Sequence, residues 1–323
     1  MTDARSSRFA GFGKSIMGLI RRAPEKSIAE QIEEAAEAQA QAILVAAEES
    51  VTYSREDNLG FCNFVGDHNR IHRDPEIAKA YKFIPFEDTP IVGVLLASTG
   101  ARISRNAVSQ LKALWEEDEN GLKVIGQEIA FKNPAYPEEG IRWSFEGYKE
   151  KAGEVDITLL ATTKGGKIIE LTTRLGRAYS LMPQIAGPIL SRPNEIDEGK
   201  FQKAAEYTQG EYNPNMIPML VASFAPSGLL KILESTEGDK EAANLRMDIN
   251  YLGDPQLGRF QTDMFLPARI RGNIARPVYK FRTLASQSTR PINYMDITCT
   301  TSQPINFGQI QDILMPIPNQ EED

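Results

Sequence analysis

The 323 residues carry a formal net charge of −8 and a pI near 5.1, which excludes general nucleic-acid binding, because affinity for a phosphate backbone comes from clustered Lys and Arg. With 41% hydrophobic and 25% charged residues the composition is that of a folded chain, and at roughly 150 residues per domain its length suggests two domains. The two cysteines, Cys62 and Cys299, lie in different halves and exclude a disulfide framework or a closed thiolate metal site; with no apolar run of roughly 18 residues and no secretory leader, a reducing, cytoplasmic setting is expected.

The first 26 residues hold six basic side chains against Asp3 and Glu25. Phe9, Phe12, Ile16, Leu19 and Ile20 recur at helical spacing, so residues 8–22 are expected to form a short basic amphipathic helix that lies on an anionic membrane surface or docks on a protein. The plainer reading is a frayed terminus. GFGKS at 11–15 is no phosphate-binding loop: Arg8 stands where the first glycine is required, and no strand precedes it. From Ser27 to Ser50, alanines and six glutamates without a basic residue predict a helix leading into the first domain, turning strand-like towards Thr52. Ser54 then caps a second helix, with acids in its first turn.

GDHNRIH, residues 66–72, contains both histidines of the chain. The GDHN stretch is turn-prone, so the Asp67 and His72 side chains can converge from one loop onto a bound water. A carboxylate and an imidazole can hold a water by two hydrogen bonds and exchange protons with it, and histidine changes protonation near neutral pH. His68 is expected at the surface, Cys62 as a small buried hydrophobe, and Asp74 as the cap of a helix opening at Pro75. TPIVGVLLASTGARIS, almost uncharged before Arg102, predicts a helix buried on most sides. Four β-rich segments follow from residue 123, the last two joined by a KGGK hairpin turn at 164–167.

Prolines and glycines mark residues 183–199 as a linker. Beyond it the first half repeats faintly: at an offset of 144, Gly66, Asp67 and Asn69 fall on Gly210, Glu211 and Asn213, while Met216 takes the place of His72. The expected organisation is an N-terminal extension (1–40), a first domain (41–182), the linker (183–199) and a degenerate second domain (200–323).

FCNFVGDHNRIHRDPEIAKA resembles the signature of the MaoC-like dehydratases and (R)-specific enoyl-CoA hydratases, through Gly66, Asp67, Asn69, Ile71 and His72. PIVGVLLAS is similar to the segment that opens that family's long central helix, and FKNPAYPEEG to its strand and turn. The resemblance covers residues 45–180 by motif order, and the second half weakly. It implies an α+β fold of two tandem hotdog domains, each an antiparallel sheet wrapped around a long helix, packed as a monomeric pseudo-dimer or further paired as a homodimer.

The activity so implied is a hydro-lyase of fatty acid metabolism: (R)-specific hydration of trans-2-enoyl thioesters, or dehydration of 3-hydroxyacyl thioesters, on coenzyme A or acyl carrier protein, without metal or cofactor. Asp67 and His72 would activate the water and the Gly93 N–H would polarise the thioester carbonyl. Asn69, Arg70 and Val92 would contribute to substrate binding. Arg70 stands in place of a family proline and would meet a coenzyme A phosphate; Val92 replaces a family histidine. The alternative is an inactive hotdog that binds acyl chains or scaffolds an assembly.

Overall fold

A computed structural model describes residues 48–81, 86–114, 123–151, 154–185, 187–211, 216–234, 241–271, 277–301 and 304–306, with Ala35, Ala38 and Ala42 in helix. The basic helix expected at 8–22, and most of the helix expected after it, lie outside the described residues.

Strand β1 (Glu49–Thr52) leads into helix α1 (Arg55–Val65), where the Ser54 hydroxyl accepts from the Asp57 N–H and the Asp57 carboxylate accepts from the Ser54 N–H in return. A short 3₁₀ turn (Arg70–His72) follows, then α2 (Pro75–Ala80), capped by Asp74, and α3 (Gly93–Leu114). The strands β2 (Lys123–Phe131), β3 (Gly140–Lys151), β4 (Glu154–Thr163) and β5 (Gly166–Gly176) complete the first half. The second half runs β6 (Leu190–Ile196), α4 (Glu198–Tyr207), α5 (Ile217–Ser223), α6 (Ala225–Glu234), β7 (Ala242–Tyr251), β8 (Gly258–Arg271), β9 (Val278–Gln287) and β10 (Arg290–Thr301).

The ten described strands join one antiparallel sheet in the order β1-β3-β4-β5-β2-β7-β10-β9-β8-β6, so the second half repeats the first in mirror order about a β2–β7 seam. Glu128 faces Asp248 across that seam, a like-charge pair that would repel. Arg246 bridges them, with Nη2 2.9 Å from Glu128 and Nε 2.8 Å from Asp248. On the helical side α3 packs on β4 and β5, α5 on α3 and β10, and the Ser98 and Ser223 hydroxyls meet at 3.1 Å where α3 and α5 cross. One apolar core runs through both halves, from Val51 to Ile305.

Three sequence expectations are corrected. Residues 190–196, read as linker, form β6; it is an edge strand, where Pro193 costs no ladder hydrogen bond to an outer neighbour. The central helix of the second half is broken into α5 and α6, because Pro226 has no N–H and its ring collides with the carbonyl four residues back.

The repeat is also one residue out of phase with the letters. Ser54 and Asp197 cap α1 and α4, Gly66 (φ 70°) and Gln209 (φ 53°) hold the left-handed positions beyond them, and Asp67 and Gly210 donate back to Cys62 and Ala205. The offset here is therefore 143, and Gly210 stands where Asp67 does. A left-handed residue need not be glycine, so Gln209, not Gly210, matches Gly66.

Candidate active site

Helix α1 buries Asn58, Phe61, Cys62 and Val65 at the three-and-four spacing of one face and ends at Gly66, whose positive φ turns the chain sharply inward. The turn delivers Asp67 to the interior, where its Oδ1 accepts the Asn69 N–H at 2.9 Å. Asn69 is itself spent on structure: its Oδ1 accepts the Ile71 N–H, and its Nδ2 donates at 2.7 Å to the Ala242 carbonyl on β7. Arg73 locks the loop from outside, its Nη2 donating to the Asp67 carbonyl and to Asn63 Oδ1 at 2.9 and 2.8 Å.

His72, buried, has its Nδ1 2.9 Å from the Pro90 carbonyl. A carbonyl only accepts, so Nδ1 carries a proton, and in the neutral ring Nε2 presents a lone pair. Asp67 and His72 both line a cavity of about 170 Å³. Gly93, in the first turn of α3, forms another part of the wall; no intrahelical carbonyl is available to its N–H, which lies at the positive end of the helix. A Cβ at position 93 would come within 2.7 Å of the Phe131 ring, so this close approach requires glycine. Leu96, Phe131 and the α6 residues Pro226, Leu229 and Leu230 make the rest largely apolar. The second half thus closes a cavity whose polar groups come mainly from the first.

Not all expected site residues gather there. Asp67, His72, Gly93 and Asn69 line the cavity, whereas Val92 and Arg70 do not. The Val92 side chain belongs to the core and its N–H donates to Asn58 Oδ1 at 2.8 Å. Arg70 is largely exposed and turns to Glu241, 3.6 Å away. His68 is exposed, as expected. Among the described residues no group of three or more His, Cys, Asp or Glu side chains could hold a metal, and no helix is long and apolar enough to cross a membrane.

Asn58 was missed by the sequence reading. Fully buried, it accepts from the Val92 N–H and donates at 3.3 Å to the Pro90 carbonyl, the same oxygen that orients His72. Its signal was a polar residue at the head of an otherwise apolar helical stripe. Asn58→Ala leaves the Val92 N–H unsatisfied, and urea unfolding is expected to show a loss of about 1–3 kcal/mol.

Cys62 lies in the last turns of α1, its carbonyl accepting from the Asp67 N–H. Burial first, and the Asp67 charge second, push its thiol well above the usual range, and burial does the same to Cys299. Neither forms a thiolate near neutral pH, so folded protein is expected to resist iodoacetamide at pH 8 and to react at both cysteines once unfolded in guanidinium.

The mirrored sheet and the paired central helices define a double hotdog. No family model matches the chain, and no curated protein matches it in sequence. Solved structures do match. One described as a MaoC-like dehydratase superposes with a TM-score of 0.51 at 11% identity over 80% of this chain and 98% of its own. A MaoC-like dehydratase from Phytophthora capsici gives 0.50 at 13%, over 82% and 99%. A conserved protein of Mycobacterium tuberculosis described as having a double hotdog fold gives 0.51 at 10%, over 78% and 94%. At such identities the likeness establishes the fold alone.

Proposed function

We propose that this double hotdog is a hydro-lyase that adds water to trans-2-enoyl thioesters, or removes it from 3-hydroxyacyl thioesters. The observation that carries the reading is the shared wall of Asp67, His72 and the Gly93 end of α3 in a cavity that is otherwise largely apolar. Asp67 Oδ1 is held by the loop, leaving Oδ2 for a water, and His72 Nε2 supplies the second acceptor. The pair takes a proton as the water oxygen bonds to the β-carbon. The alkene electrons move into the thioester as an enolate, and a proton passes from the pair to the α-carbon. The Gly93 N–H and the positive end of α3 would stabilise the enolate oxygen, an electrostatic contribution that the apolar surroundings strengthen. Dehydration runs the same steps backwards, without metal or redox cofactor.

The apolar wall from α6 suits an acyl chain, and coenzyme A or acyl carrier protein would present it. Since one chain supplies both halves, no second copy is needed to complete the cavity. The reading is tested by following the absorbance of conjugated enoyl thioesters with the intact protein and identifying the 3-hydroxy product on a chiral column. A stereochemically pure (R) product supports it. Absence of turnover across short, long and branched chains on both carriers sinks it, and leaves an acyl-binding hotdog in its place.

A further inference from the structure

The mirror symmetry of the fold locates a second cavity, of about 230 Å³, at the position related to the first. The equivalence follows from the Ser98–Ser223 contact and the seam: LLAS at 95–98 overlies LVAS at 220–223, and Glu128 overlies Asp248. In the first cavity the walls are Gly93, Phe131 to Pro134, the start of β7, and Leu230. In the second they are Pro218, Tyr251, Gly253 and Asp254, the start of β2, and Arg105. Pro218 has no N–H to offer a carbonyl, and Gly210 stands at the position of Asp67, so the second cavity lacks two of the groups that the proposed hydration needs. What it has gained is charge. The counterpart of apolar Leu230 is a buried arginine.

Arg105 is 8% exposed, and its Nε has no hydrogen-bond partner. One turn earlier on the same helix Arg102, equally buried, is fully engaged, with Nε on the Thr208 carbonyl at 3.1 Å and its fork on the Glu49 carboxylate. Arg105 makes no such ion pair among the described residues. The other polar groups of the cavity are largely committed: the Tyr179 hydroxyl donates to Asp254 and the Tyr251 hydroxyl donates to Gln127 at 2.7 Å. Lys123 lies over the Tyr179 ring, 5.0 Å from its centroid. Asp254 shares the cavity but accepts from Tyr179, and a buried guanidinium without a carboxylate in direct contact is costly, so the fold keeps this one facing open space.

We infer that the second cavity is a binding site for a small monocarboxylate, held by the Arg105 guanidinium with Lys123 in support. The charge count selects the ligand: among the described lining residues Arg105 and Lys123 oppose one carboxylate, Asp254, so one further negative charge neutralises them, whereas a dianion such as phosphate would be repelled by Asp254. The site stands apart from the hydration chemistry, and its test does not depend on turnover.

The experiment titrates the full chain with propionate, the isosteric neutral propionamide, and inorganic phosphate at constant ionic strength, reading the thermal midpoint and calorimetric affinity. Propionate is expected to raise the midpoint, propionamide to leave it unchanged, and phosphate to act more weakly. Arg105→Met, which keeps volume and removes the charge, is expected to weaken propionate by roughly tenfold or more. Ser109→Asp, placing a carboxylate one turn from Arg105 in the same cavity, is expected to raise the midpoint without ligand and to block propionate. A propionate response that survives in Ser109→Asp or in Arg105→Met, an equal response to propionamide, a stronger response to phosphate, or none in the native chain would each overturn the proposal.

Discussion

Asp67→Asn is expected to lower kcat on an enoyl thioester by about 10²–10⁴, the range for a lost general acid or base, while leaving the thermal midpoint close to that of the native chain. The amide oxygen of the substituted side chain can still accept the Asn69 N–H, so the loop keeps the bond that shapes it. What disappears is the negative charge that the proposed mechanism turns towards the water. His72→Ala is expected to cost as much in rate, and its structural cost is limited because Asn58 continues to donate to the Pro90 carbonyl. The two losses should not add: once one acceptor is gone the water is no longer held, so the double variant should lie near either single one. Arg70→Ala is the matching control, since Arg70 lies outside the cavity wall. Rates for the four variants and the native chain, with product analysis, decide the matter. Losses that multiply in the double variant would mean that the two side chains act independently and not on one water.

What could be read in the sequence was what local chemistry dictates. Ser54 and Asp74 cap helices because their side chains satisfy amides of the next turn, and Gly66 ends α1 because its φ is positive. The uncharged run after Thr89 forms α3, and the β-rich segments form β2 to β5 with the hairpin at KGGK. The Asp67 and His72 pair could be singled out because GDHNRIH joins a turn to both histidines. Harder to see was everything set by partners distant in sequence. Asn58 matters through Pro90 and Val92, Arg70 turns away because Glu241 waits at the start of β7, and Val92 is claimed by the core. β6 hid behind its proline because edge position is a property of the sheet, not of the segment. Arg105 carried no signal in the sequence, because its burial in the middle of α3 and its place on the second cavity depend on the mirrored half.

The largest stability effect is expected where α3 is seated on the sheet. Trp143, on β3, is fully buried, and its ring lies under Gly100 so closely that a Cβ there would stand 2.4 Å from the ring. Trp143→Ala should cost about 3–5 kcal/mol, a large share of the roughly 5–15 kcal/mol that holds a typical domain. Gly100→Ala should cost less, about 1–3 kcal/mol, because the helix or the ring must give way. The two positions share one space, so their effects should not be independent. In a Trp143→Phe background, where the smaller ring makes room, Gly100→Ala is expected to be markedly cheaper than in the native chain. Urea midpoints with unchanged m-values would measure all three. Equal costs in both backgrounds would show that α3 is free to lift from the sheet. The position of Gly93, seven residues up the same helix, would then not be fixed by this contact. If the costs are unequal, the seat of Gly100 on Trp143 is part of what holds the Gly93 amide against the cavity.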